Sequence, residues 1–353
     1  MSAHILGLGE WLPRTIRTND DWPEAFLTRS RATQPRELVD IEVDDDPREA
    51  LSREYLRAEA DDPFLGATQR RIAPDDVDAC LAESFAGKAA LADAAIDPDE
   101  VDVVMSWAAV PDRVVPPSAP RVADLLQIRH AMALGIEASC ATAVAQLGLA
   151  AALVESGRAR TILLTQSHLM TRAFPKMHPA SPNVGDAATA MVVRAAPGPG
   201  IGRLHAVTHG EYYPAVTWCR GRDIDPPWWK AGPDYYPGTL VPALARELIA
   251  TTVHIGMTTV RELLVRAEID PGAVDVFASV QPRRWVPDAI ARAAGLQAAH
   301  VPVTFDMYAH LGACGVVSNL LRARRDGRLG PGTRSVLFAQ GAGLTRAAIV
   351  VQW

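Results

Sequence analysis

The sequence predicts an α/β fold built from two pseudo-symmetric halves, in which helices pack on mostly parallel sheets. Three observations indicate this fold: strand patterns alternate with helix patterns, one helix–turn–strand segment occurs twice, and the two copies end alike. We divide the chain at residues 1–197 and 198–353. Two such halves pack about a pseudo-twofold axis, so equivalent helix N-termini are expected to meet near the middle of the molecule.

The repeat begins with segment 95–103, which recurs about 173 residues later as segment 268–276. Each copy contains an Asp-Pro pair, follows a helical pattern and opens an apolar run that is typical of a strand buried on both faces. The predicted helices cover 85–94 and 252–267, and the predicted strands lie within 101–110 and 274–280.

A second match continues the repeat. Residues 155–158, before the predicted strand 161–164, resemble residues 325–328, before the predicted strand 335–338. The same spacing aligns Cys140 with Cys314, so each cysteine stands at the start of an equivalent helix. Apolar residues 141–154 form the first of these helices. The copies close alike, at 185–193 and 343–351.

Three segments lie outside the repeat. Residues 168–183 are rich in Pro and His, and we interpret them as a lid or interface loop. Residues 19–62 are acidic and look helical. Residues 218–237 contain Trp228 and Trp229 among Pro and Gly, which indicates a rigid aromatic loop. This loop lines a substrate pocket or a subunit contact, or it packs over its own core, and the sequence leaves these alternatives open.

Composition excludes several classes of protein. The 35 basic and 41 acidic residues give a formal charge of −6, which disfavours nucleic acid and anionic membranes as partners. The four cysteines lie far apart and form no disulfide framework or zinc motif, so no metal is expected. No secretory signal is visible, and the longest apolar stretch is too short to cross a bilayer. We expect a cytoplasmic protein with reduced thiols.

The chemistry is expected at the two helix starts. Cys140 follows a predicted strand and opens the apolar helix, where the helix dipole stabilises a thiolate and makes it nucleophilic. His310 stands just ahead of the equivalent start in the second half and could supply a general base. A buried small hydrophobe and a satisfied core histidine are the plain alternatives. The conjunction of both residues at related positions favours the chemical interpretation.

With these residues in place, the chain resembles the thiolase-fold family, specifically its ketoacyl-acyl-carrier-protein synthase III branch. The resemblance covers nearly the whole length and implies two halves in αβαβα layers. The matching segments are 70–73, 101–104, 116–119, 122–126, the Cys140 segment, 185–187 and 341–345.

The resemblance implies an acyl-transferring site. In that family the cysteine takes an acyl group from a thioester of CoA or acyl carrier protein, and backbone N–H groups hold the oxyanion. By position these donors are those of Cys140 and Ala342. The family also implies a homodimer, and no cofactor is expected beyond the acyl-CoA or acyl-carrier substrate.

Two departures from the family pattern are informative. The His-Gln-Ala-Asn motif of condensing synthases reads Val280-Gln281-Pro282-Arg283 here, and the position of their second catalytic residue, an Asn, is His310. Valine cannot hydrogen bond to an enolate, so decarboxylative condensation is not favoured. Gln281 is kept as a substrate-binding candidate, together with Trp228 and Trp229.

A smaller group of relatives, the acyltransferases and starter-unit enzymes of antibiotic biosynthesis, carries its histidine in a Gly-His-Leu-Gly-Ala-x-Asp motif. This chain has Ala309 and His310 at the start of that motif and Gly315 in place of its Asp. The third member of the triad is therefore missing from its usual place. Asp306 or a backbone carbonyl could orient the imidazole instead.

These observations favour an acyltransferase of secondary metabolism, such as polyketide or antibiotic biosynthesis. Cys140 would carry the acyl group from CoA or acyl carrier protein to an alcohol, amine or carrier-protein acceptor, with His310 as the base. One alternative is a condensing enzyme that forms a C–C bond. Another is a non-catalytic partner subunit of a thiolase-fold heterodimer.

Overall fold

The structure is a computed structural model that describes residues 1–33, 46–219, 230 and 236–353. Its helices are α1 (Glu24–Thr33), α2 (Pro47–Ala58), α3 (Ala79–Ala94), α4 (Ala119–Leu125), α5 (Thr142–Glu155), α6 (Pro242–Ala250), α7 (Thr252–Ala267), α8 (Val286–Ala294), α9 (Phe305–Tyr308) and α10 (Cys314–Arg325). Its strands are β1 (Ser2–Trp11), β2 (Thr15–Thr18), β3 (Gln69–Ile72), β4 (Val103–Ala108), β5 (Met132–Gly135), β6 (Thr161–Leu169), β7 (Asp186–Ala196), β8 (His205–Thr208), β9 (Thr217–Cys219), β10 (Tyr236–Gly238), β11 (Val276–Ser279), β12 (Arg334–Gly341) and β13 (Thr345–Gln352).

Two large sheets form the frame of the molecule. The first has the order β1-β7-β6-β4-β5 and the second the order β11-β12-β13-β8, so each sheet is built from one side of residue 197. Strands that follow helices pair in parallel, as in β4–β5, β4–β6 and β11–β12. Antiparallel pairs complete each sheet. Between β12 and β13 the turn is too short to allow a parallel return.

The helices and sheets alternate in five layers. Helices α3 and α4 pack on the outer face of the first sheet, and α7 and α8 pack on the outer face of the second. Helices α5 and α10 lie between the two sheets and share one core with both. The layers therefore follow the αβαβα order, and the equivalent helices α5 and α10 occupy the centre.

The repeat has a local physical basis. The residues that follow helices α3 and α7, Ala95 and Glu268, both have the left-handed conformation, with φ of 52° and 55°. After each helix an aspartate side chain accepts a backbone N–H and opens a 3-10 turn that leads into a strand. Asp97 accepts from Asp99, and Asp270 accepts from Gly272. The predicted helix–turn–strand units are confirmed.

The segments outside the repeat add to the second half and to its surface. Helix α2 packs against α7 and α8, where Tyr55 stacks on Trp285 and the Glu59 carboxylate pairs with the half-buried Arg283. The described ends of the aromatic loop form the antiparallel pair β9–β10. Within the described ranges no single helix is long and apolar enough to span a membrane. The bent pair α6–α7 passes that test by length and composition together.

Candidate active site

Cys140 lies in a tight turn between β5 and α5. The turn is a 3-10 segment, Ser139–Ala141, and Ser139 has φ of +50°, which few non-glycine residues adopt. The Glu137 carboxylate accepts the Ser139 N–H at 2.5 Å and the Trp107 indole N–H at 2.8 Å, which holds the turn. The Cys140 side chain is half-buried at the start of the central helix.

His310 follows helix α9, and two hydrogen bonds to its backbone hold it in place. Its N–H donates to the Asn183 carbonyl at 3.0 Å, and its carbonyl accepts from the Gly185 N–H at 3.1 Å. Asn183 is the last residue of the segment that we interpreted as a lid or interface loop, and Gly185 follows two residues later. This end of the loop fixes the backbone at His310.

The two residues meet at the junction of the halves. The Nε2 atom of His310 lies 3.5 Å from the Sγ atom of Cys140. The Nδ1 atom of His310 lies 2.9 Å from the Gln281 carbonyl oxygen. Because a carbonyl can only accept, Nδ1 carries the proton, and Nε2 of the neutral ring presents its lone pair to the thiol.

The charge state of this pair differs from the thiolate expected at a helix start. Burial, and after it the Glu137 carboxylate, raises the pKa of the Cys140 thiol from 9.0 to about 12. Burial also lowers the pKa of His310, against the effect of its bond to Gln281. The resting pair is therefore a thiol beside a neutral imidazole, and His310 must take the proton as the sulfur attacks.

The backbone beside Cys140 is closely approached by the end of β12. A Cβ on Gly341 would lie 3.0 Å from the Cys140 nitrogen and 2.4 Å from the Ala138 carbonyl oxygen, so only glycine fits there. Ala342 follows in the turn to β13. Within the described ranges, neither the Cys140 nor the Ala342 N–H donates to a backbone carbonyl in a turn, loop or cap.

The side chain of Gln281 is bound within the protein and is not presented to a substrate. Its side chain is buried, and its amide donates to the Pro302 carbonyl at 2.9 Å and accepts from the Thr304 N–H at 3.1 Å. Both ends of the amide are thus used within the protein. What Gln281 presents to the site is its backbone carbonyl, which orients His310.

Asp306 does not orient His310. Helix α9 ends at Tyr308, and Ala309 has φ of 57° and ψ of −157°, so the four-residue spacing does not place both residues on one helix face. The Asp306 carbonyl accepts from Thr68, and the Nδ1 partner of His310 is Gln281. The backbone carbonyl that the sequence left as an alternative replaces the carboxylate.

There is free space at Gly315, the position where the related acyltransferases have the missing carboxylate. Gly315 is buried in the first turn of α10, and a Cβ built on it would meet no atom within 4 Å. Its neighbour Cys314 is fully buried, and its thiol contacts the Gln166 carbonyl at 3.5 Å. Of the equivalent cysteines, only Cys140 reaches the site.

The tryptophans proposed to bind substrate, Trp228 and Trp229, lie outside the described residues.

A second cluster of titratable groups lies at the start of α3. Asp78, Cys80 and Asp112 bring ligand atoms close together. Asp112 accepts the backbone N–H groups of Ala79 and Cys80, and Asp78 accepts that of Leu81. These carboxylates cap the helix, and we assign them that structural role.

Comparison with known proteins gives the family. Residues 134–210 match the model of 3-oxoacyl-(acyl-carrier-protein) synthase III, and residues 264–353 match the model of its C-terminal part. The beta-ketoacyl-(acyl-carrier-protein) synthase III of Rhodospirillum rubrum is 31% identical over 271 residues, which cover 76% of this chain and 82% of the relative. The chain belongs to the 3-oxoacyl-(acyl-carrier-protein) synthase III family. The synthase III of Granulibacter bethesdensis is 26% identical and covers 99% of this chain, which covers 98% of that relative.

Solved structures of synthase III enzymes agree with the architecture. The enzyme from Pseudomonas aeruginosa superimposes with a TM-score of 0.78 at 22% identity, covering 100% of this chain and 98% of its own. A priming beta-ketosynthase from a polyketide biosynthetic pathway gives a TM-score of 0.81 at 22% identity, covering 99% of this chain and 96% of its own. The predicted thiolase fold is confirmed.

Within the synthase III family, this chain has an apolar residue where the resemblance implies a catalytic histidine. Val280 is buried directly after β11, and its backbone N–H donates to the Phe338 carbonyl at 2.9 Å. Its side chain offers no hydrogen bond. Sequence reasoning identified Cys140, His310 and Val280, but it named neither Gln281 as the orienting residue nor His168, which contacts the His310 ring.

Proposed function

We propose that the protein is an acyltransferase that works through an acyl-enzyme at Cys140. The observation that carries the proposal is the 3.5 Å contact between Cys140 Sγ and His310 Nε2, in a site where Val280 replaces a polar group. The donor is an acyl-CoA or an acylated carrier protein. The acceptor is an alcohol, an amine or a carrier-protein thiol, and the proposed context is secondary metabolism.

In the first half-reaction, Nε2 of His310 takes the thiol proton while Cys140 Sγ attacks the thioester carbonyl. The oxyanion accepts hydrogen bonds from the backbone N–H groups of Cys140 and Ala342. When the intermediate collapses, the bond to the donor sulfur breaks. His310 returns its proton to that sulfur, and the free donor thiol leaves.

In the second half-reaction, His310 takes the proton of the acceptor, which attacks the acyl-enzyme carbonyl. The same two N–H groups hold the second oxyanion. The bond between the acyl carbon and Cys140 then breaks, and the Cys140 sulfur regains its proton from His310. The cycle needs no bound metal or organic cofactor, and we place it in a cytoplasmic homodimer.

A condensing enzyme is the second candidate, because the matched relatives are named beta-ketoacyl-(acyl-carrier-protein) synthase III. Such a reaction also begins with an acyl-cysteine, but it then needs donors for an enolate. Val280 provides none. The alternative of a non-catalytic partner subunit is disfavoured by the adjacent thiol and imidazole.

Intact-mass spectrometry tests the proposal. The protein is incubated with a panel of acyl-CoA and acyl-carrier thioesters, and the adduct mass identifies the acyl group. The loaded protein is then given alcohols, amines and carrier-protein thiols, and the expected result is loss of the adduct with formation of an acylated acceptor. No adduct from any donor would favour the partner-subunit alternative.

A further inference from the structure

A second histidine lies against the ring of His310. His168, near the end of β6, is 1% exposed, and its ring centroid lies 5.5 Å from that of His310. The two ring planes meet at 75°, so the edge of one ring faces the other. The mechanism proposed above does not use His168.

One short segment holds both histidines. The Nδ1 atom of His168 lies 2.8 Å from the Gly185 carbonyl oxygen and donates to it. The Gly185 N–H donates to the His310 carbonyl, and the Asn183 carbonyl accepts from the His310 N–H. Gly185 itself is required there, because a Cβ would lie 2.1 Å from the Tyr308 carbonyl oxygen. The position of His168 is therefore coupled to that of His310.

The chain leaves space for this second imidazole. Gly312, two residues after His310, has φ of +53°, and a Cβ on it would lie 2.4 Å from Cδ2 of His168. Any side chain at position 312 would displace the ring. Burial lowers the pKa of His168 to about 3, so the ring stays neutral and does not compete for the Cys140 proton.

We propose that His168 is a positioning residue that holds the His310 imidazole against the Cys140 thiol. The proposal rests on the proposed function, in which His310 is the base. His168 fills the space beside the His310 ring, and its bond to Gly185 ties it to the segment that fixes the His310 backbone. A rotation of the His310 ring would break the 3.5 Å contact with Cys140.

Substitutions separate the shape of the ring from its chemistry. His168→Ala removes the ring that fills the space beside His310. It should slow acyl transfer by about 10- to 100-fold with the donor KM unchanged, since small displacements of a base are costly. His168→Phe keeps a ring in that space and should retain activity within about threefold, with a lower melting temperature because the Gly185 carbonyl loses its donor. The matched control is His205→Phe, a buried histidine that pairs with Glu262 in the second half.

A second measurement does not depend on the acyl substrate. The rate of Cys140 alkylation by iodoacetamide, followed by peptide mass spectrometry, reports how well His310 takes the thiol proton. His310→Ala should slow alkylation, and His168→Ala should slow it in the same direction, whereas His168→Phe and His205→Phe should not.

The outcomes distinguish the two proposals. If His310→Ala slows alkylation and folded His168→Ala does not, the positioning role is wrong while the proposed function stands. A folded His168→Phe as impaired as His168→Ala would also overturn it, because filling the space beside the His310 ring would then not be what keeps the ring in place. If the alkylation rates follow the expected order but no acyl group is transferred, the proposed function fails and the positioning role stands.

Discussion

The Nδ1 atom of His310 donates to the backbone carbonyl of Gln281 at 2.9 Å, where a triad would place a carboxylate. The Gln281 amide binds Pro302 and Thr304, so the carbonyl is held in place by its own side chain. A carbonyl fixes the tautomer of the ring but offers no full charge to an imidazolium. The base therefore rests in its neutral form and needs no prior loss of a proton.

This geometry predicts that His310→Ala impairs both half-reactions. Since the pKa of the Cys140 thiol is about 12, little thiolate is present without a base. We expect acyl loading and acyl transfer to slow by about 10²- to 10⁴-fold, the usual contribution of a positioned general base. Quenched-flow mass spectrometry of the acyl-enzyme measures each step separately.

Asp306→Asn is the matched control for this prediction. Asp306 lies four residues before His310 but is not its partner, so the variant should keep the wild-type rates of both steps. A fall comparable to that of His310→Ala in folded Asp306→Asn would show that the carboxylate orients the ring during turnover.

Cys140→Ala should abolish the acyl adduct. The change removes the sulfur that forms the thioester, and it costs about 1 kcal/mol or less of stability because the side chain is small and half-buried. Intact-mass spectrometry after incubation with the best donor measures the adduct. The Cys80→Ala, Cys219→Ala and Cys314→Ala variants should still load, because these three thiols are buried and the thiol in contact with His310 is that of Cys140. An adduct that survives in Cys140→Ala would falsify the mechanism.

Acyl transfer and condensation differ in their response to malonyl thioesters. With a loaded Cys140 and a malonyl thioester as the only second substrate, we expect no carbon dioxide release coupled to a 3-oxo product. The reason is that the buried Val280 side chain cannot hydrogen bond to the enolate. Release of labelled carbon dioxide measures the reaction. Steady release of carbon dioxide with a chain-extended product would favour a condensing enzyme over an acyltransferase.

The amino-acid sequence predicted the frame of the site better than its supporting contacts. The repeat aligned Cys140 with Cys314 because equivalent apolar helices follow them, and the structure places both helices between the sheets. The orienting group of His310 is a backbone carbonyl, which no side-chain pattern marks. The sequence placed His168 at the start of an irregular loop. Its contact with His310 could not be predicted, because only the three-dimensional path of residues 183–185 brings the two residues together.

Ala309→Gly should stabilise the protein. Ala309 has φ of 57° and ψ of −157°, a region that is nearly restricted to glycine and costs other residues roughly 1–3 kcal/mol. Glycine adds an entropic cost of roughly 0.5–1 kcal/mol on folding. Loss of the buried methyl group of Ala309 costs roughly 0.8 kcal/mol more. The expected net gain in the free energy of unfolding is therefore about 0.5 kcal/mol, measured by chemical denaturation.

The matched control is Ala152→Gly on the exposed face of α5. Its backbone is helical, so glycine there relieves no strain and should destabilise the protein by about 1 kcal/mol. Opposite signs for the two variants would identify strain before His310 as the cause. A loss of stability in both would show that the backbone at residue 309 is relaxed.

Glu83→Gln tests a buried carboxyl group beneath the first sheet. Glu83 accepts hydrogen bonds from Thr165 at 2.5 Å and Ser167 at 2.9 Å, and burial raises its pKa from 4.5 to about 8. The folded protein therefore keeps a proton that the unfolded chain loses at lower pH. Stability should fall as the pH rises from about 4.5 to about 8, because unfolding releases this proton in that window.

Gln does not titrate, so the melting temperature of Glu83→Gln should depend less on pH across this window. Glu155→Gln, on the surface, should follow the wild type. Parallel curves for wild type and Glu83→Gln would mean that Glu83 is already ionised in the folded protein.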